Sequence, residues 1–267
     1  MTRQQLVSGI RQMGSYLCVG LDTDREKLPR YLLSFADPVF EFNRRIIDAT
    51  KDHCVAYKIN TAFYESSGAK GWETMEKTVD YIPPTHFRIA DAKRGDIGNT
   101  SAQYARAFFE TMAFDAITVA PYMGEDSVRP FLEYKDKWTI VLGLTSNAGA
   151  KDFELQPAGN GLLYEKVLTT AAGWGTPDNL MFVIGATQAE AFERVRRLMP
   201  DHFYLVPGVG AQGGSLEEIS KKAMNKDIGL LVNASRAVIY ASGGEDFAAA
   251  AGNVAAGYHR VMGEFLK

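Results

Sequence analysis

Apolar residues along the 267-residue chain fall into two alternating kinds of segment. Short, nearly unbroken apolar runs occupy 16–21, 55–59, 87–90, 116–119, 138–142, 181–184, 203–206 and 229–232. Runs such as Ala116-Ile117-Thr118-Val119 and Trp138-Thr139-Ile140-Val141-Leu142 are strand-length and do not alternate with polar positions. That is how parallel strands buried on both faces read. Between them the apolar spacing becomes helical. Val39, Phe42, Ile46 and Ile47 form one face of 38–51, with Glu41, Arg44, Arg45 and Asp48 opposite. Ala102, Ala105, Phe109 and Met112 do the same in 100–113, and Phe192, Val195 and Met199 in 189–199.

Eight strands alternating with helices predict an α/β fold, a (β/α)8 TIM barrel forming a single domain over 1–267. The seven steps from Asp22 to Arg236 average about 31 residues, the length of one β–α unit. The alternative is an open doubly wound sheet, which usually has fewer strands and often a glycine-rich loop after the first. Here the first strand ends Gly20-Leu21-Asp22-Thr23-Asp24. The stretch 147–161 reads as a long loop after the fifth strand, and nothing reads as a linker, repeat or low-complexity tract.

Composition narrows the classes of function. A chain 46% hydrophobic and 23% charged is ordinary for a globular protein, which excludes disorder, collagen and coiled coil. A net charge of −3 argues against broad nucleic-acid or anionic-membrane binding, although a few local donors would still hold a small anion. Residues 1–7 lack the apolar core of a signal peptide, and no apolar run approaches the roughly 20 residues of a membrane span. A cytoplasmic protein is expected. Cys18 and Cys54 are too few for a disulfide framework or a zinc site and read as buried thiols.

In a barrel the chemistry sits at the C-terminal ends of the strands. Here those ends carry Asp22, Lys58, Asp91 with Lys93, Thr145-Ser146, Pro207-Gly208 and Ser235-Arg236. The richest segment is Asp91-Ala92-Lys93-Arg94-Gly95-Asp96-Ile97-Gly98-Asn99-Thr100. Asp91 and Lys93, two apart on a strand, are expected to point together into the barrel mouth. A lysine between two aspartates suits proton transfer or stabilisation of developing charge, and equally a structural ion pair. Gly95 and Gly98 permit a turn, and Asn99 or Thr100 can cap the next helix. Further on, 207–214 holds four glycines, and Asn233-Ala234-Ser235-Arg236 follows the eighth strand. Many barrels bind phosphate after strands seven and eight, where glycines let backbone N–H groups approach an anion. Arg236 would add a bidentate contact.

Lys58 has several readings, a Schiff base, a hydroxyl contact or simple snorkelling. Schiff-base chemistry needs a desolvated lysine, and Asp22, Asp91 and Asp96 count against it, so a hydroxyl contact is preferred. His53, His86, His202 and His259 fall at no strand's C-terminal end and have no metal-ligand spacing. No metal is expected. Gly208 to Gly213 match G-x-G-x-x-G, but after strand seven and without the acidic residue a dinucleotide site requires.

The run Asp-x-Lys-x-x-Asp-Ile-Gly-Asn-Thr at 91–100 closely resembles the signature of the orotidine 5′-monophosphate decarboxylases, in their longer bacterial subgroup. Residues 207–214 look like that family's phosphate-gripping loop and Ser235-Arg236 like its second phosphate contact, so the resemblance runs in order from Asp22 to Arg236. It implies the last step of UMP synthesis, a nucleotide substrate and no cofactor. It also implies that Lys93 protonates the carbon left by CO2 and that Asp91 lies near the departing carboxylate. Asp22 and Lys58 would hold the ribose and Ser146 the pyrimidine edge, with Thr145 its competitor. Pro207, Gln212, Ser235 and Arg236 would belong to the phosphate end. Asp96 and Thr100 would reach across a homodimer into the partner's site. Ile59-Asn60, after Lys58, depart from several relatives, and Asn60 is given no role. The rivals are a Mg2+-dependent sugar-phosphate decarboxylase or hexulose-phosphate synthase on the same barrel, and a non-catalytic phospho-ligand sensor. The first would need an acidic metal cluster where lysines match the aspartates, and the second a lost lysine or aspartate.

Overall fold

Eight parallel strands close on themselves in the computed structural model, which describes residues 1–186, 189–209 and 214–267. They are β1 (Leu17–Gly20), β2 (Ala56–Asn60), β3 (Phe87–Arg94), β4 (Ala116–Val119), β5 (Trp138–Leu144), β6 (Leu180–Ile184), β7 (Phe203–Pro207) and β8 (Leu230–Ala234). Each pairs with the next, and β8 pairs with β1 through Cys18 opposite Asn233. All eight apolar runs are strands, and the open-sheet alternative is excluded by the closure. Helices cover the barrel, among them α1 (Arg3–Met13), α2 (Pro38–Thr50), α3 (Ala62–Glu65), α4 (Gly68–Tyr81) and α5 (Gly98–Arg106). No helix among the described residues is long and apolar enough to cross a membrane.

The end of the barrel where the strands begin is filled. Trp138 meets Phe87 and Phe203 edge-on, with ring centroids 6.2 and 6.1 Å apart. These rings come from β3, β5 and β7, which are not hydrogen-bonded neighbours, so they meet inside the barrel as a layer drawn from alternate strands. α1 closes this floor. A Thr2/Gln5 capping box starts it and Gly14, at φ +68°, ends it. The Arg3 guanidinium lies 5.2 Å over the Phe203 ring, and the Met1 carbonyl accepts the Trp138 indole N–H at 2.8 Å. Any chemistry must therefore use the opposite end.

Two local readings need correction. The stretch 147–161 is not all loop. It holds a 3₁₀ turn, Ala148–Asp152, and a two-stranded hairpin pairing Pro157–Ala158 with Gly161–Leu162, with Gly159 at φ +66° in its turn. Nor does Asn99 or Thr100 cap the helix after β3. α5 begins at Gly98 with Ile97 as N-cap and no side-chain cap, because Gly98 takes φ +35° and starts the helix earlier.

His202 is buried, and neither ring nitrogen has a partner among the described residues. Burial, with Arg3 and Arg196 nearby, pushes its pKa down to about 4. The folded protein thus keeps His202 neutral where the unfolded chain, titrating near about 6.5, binds a proton, so stability falls as pH drops through that window. Between pH 6.5 and 5 we expect a loss of about 2 kcal/mol from this group. Burial lowers His86 and His259 too, so His202→Gln should flatten part of the slope in denaturant titrations across this range. An unchanged slope would show that His202 does not titrate on unfolding.

Candidate active site

A cavity of about 310 Å3 opens at the C-terminal ends of the strands. It is lined by Asp22, Lys58, Asp91, Lys93, Ser146, Pro207, Ser235 and Arg236, so eight of the sequence-derived residues meet in one place.

Four of them alternate in charge. Lys58 Nζ lies 3.1 Å from Asp22 Oδ1 and 2.9 Å from Asp91 Oδ2, and Lys93 Nζ lies 2.5 Å from Asp91 Oδ1. The register supplies the first contacts, setting Gly20 beside Lys58 and Asn60 beside Asp91. The loop carrying Asp22 is tied down on both sides. The Tyr64 hydroxyl donates to the Leu21 carbonyl at 2.9 Å, and the Thr23 hydroxyl to buried Asn43 at 2.6 Å. Burial alone would raise the Asp91 pKa, but Lys58 and Lys93 outweigh it and hold the carboxyl well below the usual range. Burial would likewise lower Lys58, but Asp91 and Asp22 push it well above its ordinary value. That is the opposite of what a Schiff-base lysine needs. Exposure differs along the row. Lys58 is 4% exposed and Lys93 48%, which makes Lys93 the cation open to an incoming molecule.

Lys93 reaches Asp91 by a different route from simple alternation. Between Ala90, opposite Ile117, and Arg94, opposite Val119, β3 has two residues more than β4. The strand bulges there, and Lys93 sits at φ +47°, a conformation uncommon for a residue with a side chain. Arg94 anchors the far side of the bulge. Its guanidinium pairs with Glu65 of α3 and lies 5.4 Å over Tyr104 of α5.

At the other end, a Cβ on Gly20 would overlap the Ser235 hydroxyl, so glycine there lets the segment after β8 lie against β1. Arg236 is exposed and has no hydrogen-bond or ion-pair partner among the described residues. Gly208, at φ +94°, turns the chain after β7, and Gly214 packs on Ala186 where a Cβ would not fit. Gln212 lies outside the described residues, as do the other residues of 210–213 in the glycine-rich loop. Ser146 and Thr145 both line the cavity, and Thr145 is also bonded to Glu154. Its backbone N–H donates to Glu154 Oε2 at 2.7 Å and its hydroxyl lies 2.8 Å from Glu154 Oε1.

Asp96 and Thr100 do not line the cavity of their own chain. Asp96 Oδ1 accepts the Ile97 N–H at 2.7 Å, and Thr100 is exposed in the first turn of α5. On the same loop after β3 Ile97 is 58% exposed, and on the adjoining loop after β4 Tyr122 is 92% and Met123 49% exposed, with Gly95 lying against Ala120 where the loops meet. Sequence reading also missed the apolar wall of Leu142, Val183 and Leu205, and it set Asn233 in the segment after the eighth strand, whereas Asn233 belongs to β8 itself and lines the cavity. The wall carries no signal beyond being strand.

Residues 15–251 match the family described as orotidine 5′-phosphate decarboxylase / HUMPS. A relative in Phocaeicola vulgatus named orotidine 5′-phosphate decarboxylase is 59% identical over 96% of this chain and 95% of its own. One in Bacteroides fragilis with the same name is 56% identical over 100% and 99%. The solved structure of Leishmania donovani OMP decarboxylase superposes with a TM-score of 0.84 at 35% identity, covering 99% of both chains.

Proposed function

The chain belongs to the orotidine 5′-phosphate decarboxylase / HUMPS family, and we propose that it converts orotidine 5′-monophosphate to UMP and CO2, with Lys93 delivering a proton to C6. It is a carboxy-lyase of pyrimidine biosynthesis. The relatives just described favour this over the sugar-phosphate branch of the same family, since at 56–59% identity they bear the decarboxylase name. The observation that carries the mechanism is the row Asp22–Lys58–Asp91–Lys93, with its most open cation facing a cavity that ends at Arg236, which is unpaired among the described residues.

Loss of CO2 from C6 leaves an electron pair in the ring plane, where the π system delocalises it poorly. The required barrier reduction is near the top of the enzymatic range, roughly 20 kcal/mol. A fixed ammonium aimed at that carbon is the largest single contribution available, and it is also the proton source. The two carboxylates and two ammoniums sum to zero, so their attraction offsets the cost of burying them, and Lys93, at the open end of the row, can turn from Asp91 to the carbanion. A substrate carboxylate about 4 Å from Asp91 would be repelled by about 4 kcal/mol at an effective dielectric near 20. Asp91 is already bonded to Lys58 and Lys93, so this repulsion supplies a minor share. Arg236, Ser235 and Gln212 grip the phosphate, with Pro207 shaping the wall beside it, and that remote contact favours the closed, dry complex. Ser146, in the cavity wall, takes the pyrimidine edge. Asp22 and Lys58 take the ribose.

The catalytic unit is a homodimer working in the cytoplasm. Asp96 and Thr100 stand outside their own cavity beside the exposed Ile97, Tyr122 and Met123, which supports their serving the partner's site. The direct test is to mix the protein with orotidine 5′-monophosphate and follow the pyrimidine absorbance as CO2 leaves. Because Lys93 supplies the positive charge, activity should survive exhaustive EDTA treatment unchanged. Loss with EDTA and return with Mg2+ would transfer the chain to the enediolate branch.

A further inference from the structure

We infer that Thr118 is a positioning residue for this reaction, the element that aims Lys93 and fixes Asp91 while touching neither substrate nor cavity. The inference rests on the decarboxylase reading above. Thr118 is a wholly buried hydroxyl in the middle of β4, in the run Ala116-Ile117-Thr118-Val119. It stands where β3 bulges away from β4 and the regular ladder is interrupted. The Lys93 backbone N–H, turned aside by its left-handed φ, donates instead to Thr118 Oγ1 at 2.9 Å. Thr118 Oγ1 in turn lies 3.0 Å from Asp91 Oδ1, the oxygen that also accepts the Lys93 ammonium.

The direction of each bond is forced. A backbone N–H only donates, so the hydroxyl accepts from Lys93 and gives its single proton to Asp91. Asp91 therefore receives Thr118 and Lys93 on one oxygen and Lys58 on the other. The result is a closed ring, from the Lys93 backbone through Thr118 and Asp91 to the Lys93 ammonium. It couples a strained backbone conformation to the aim of the side chain that the strain carries. Removing the hydroxyl leaves a buried N–H unpaired, frees the Asp91 carboxylate to rotate, and loosens both ends of the lysine together. Misplacement on the scale of 1 Å is worth about 100-fold in rate. The phosphate end of the cavity, formed after β7 and β8, is untouched.

The test compares Thr118→Val, which keeps the shape, with Thr118→Ser, which keeps the hydroxyl. Wild-type turnover of orotidine 5′-monophosphate, measured first, separates failure of the decarboxylase reading from failure of this one. Thr118→Val should lower kcat by about 10- to 100-fold, with UMP binding and KM within about threefold of wild type. Thr118→Ser should restore kcat to within a few fold. In a Lys93→Ala background Thr118→Val should cost nothing further, because there is no ammonium left to aim. If Thr118→Val does not fold, Thr118→Ser against Thr118→Ala makes the same comparison. Equal activity in the hydroxyl-bearing and hydroxyl-free variants, or a full additional loss in the Lys93→Ala background, would overturn the inference.

Discussion

Lys93→Ala is expected to lower turnover of orotidine 5′-monophosphate by about 10⁴-fold or more while UMP binding stays measurable. The size follows from two jobs done by one atom. A positioned proton donor is worth about 10²–10⁴ and a charge aimed at a developing anion about 10²–10³, and Lys93 Nζ is proposed to supply both. Lys58 is a poor substitute, since it is 4% exposed and committed to Asp22 and Asp91. Its raised pKa also makes it a reluctant donor. Binding should survive because the phosphate contacts we propose lie at the far strands. Arg236→Ala should give the complementary phenotype, a raised KM with a smaller effect on kcat, and little effect on a phosphate-free nucleoside. A Lys93→Ala enzyme retaining more than about a tenth of wild-type kcat would remove Lys93 from the chemistry. Equal losses on nucleotide and nucleoside would make Arg236 structural.

The strands of this barrel are legible because burial on both faces leaves unmistakable apolar runs, and their ends are legible because charge appears abruptly at Asp22, Lys58 and Asp91. What is not legible depends on pairing between strands. The bulge at Lys93 exists because β3 and β4 disagree by two residues, and neither strand alone states that disagreement. Alternation gives the right neighbour for Asp91, but for the wrong reason. Thr118 is invisible for the same cause. One threonine in Ala-Ile-Thr-Val reads as an ordinary β-branched strand residue until the bulge leaves an N–H facing it. The cap of α5 is misplaced because glycine at 98 can begin a helix from a left-handed φ, which a reading based on side-chain oxygens ignores. Glu154, which bonds both the backbone and the hydroxyl of Thr145 at the cavity wall, lies nine residues along in a stretch whose hairpin is too short to show a period.

Mixed dimers should recover activity from two inactive parents. Lys93→Ala lacks the proton donor, and Asp96→Asn lacks the carboxylate that we propose each chain lends to its neighbour. In one chain Asp96 stands outside the cavity, on a loop carrying Ile97 at 58% exposure and adjoining Tyr122 at 92%. An apolar patch of that kind at the rim of a site is suited to burial against a second copy. A two-fold axis then makes the loan reciprocal. Both homodimers should be nearly dead, the first at Lys93 in each site, the second at the borrowed Asp96 in each site. In a mixed dimer one site takes Lys93 from the Asp96→Asn chain and Asp96 from the Lys93→Ala chain, and is intact. Its other site carries both defects. Random reassembly after unfolding and refolding makes about half the dimers mixed, each with one good site of two, so about a quarter of wild-type activity should return under the closed two-fold arrangement. Subunit exchange is to be verified independently, with differently tagged chains. Verified exchange without recovered activity would place Asp96 in its own chain's site, and the loop after β3 would then have to fold back over the cavity rather than reach a partner.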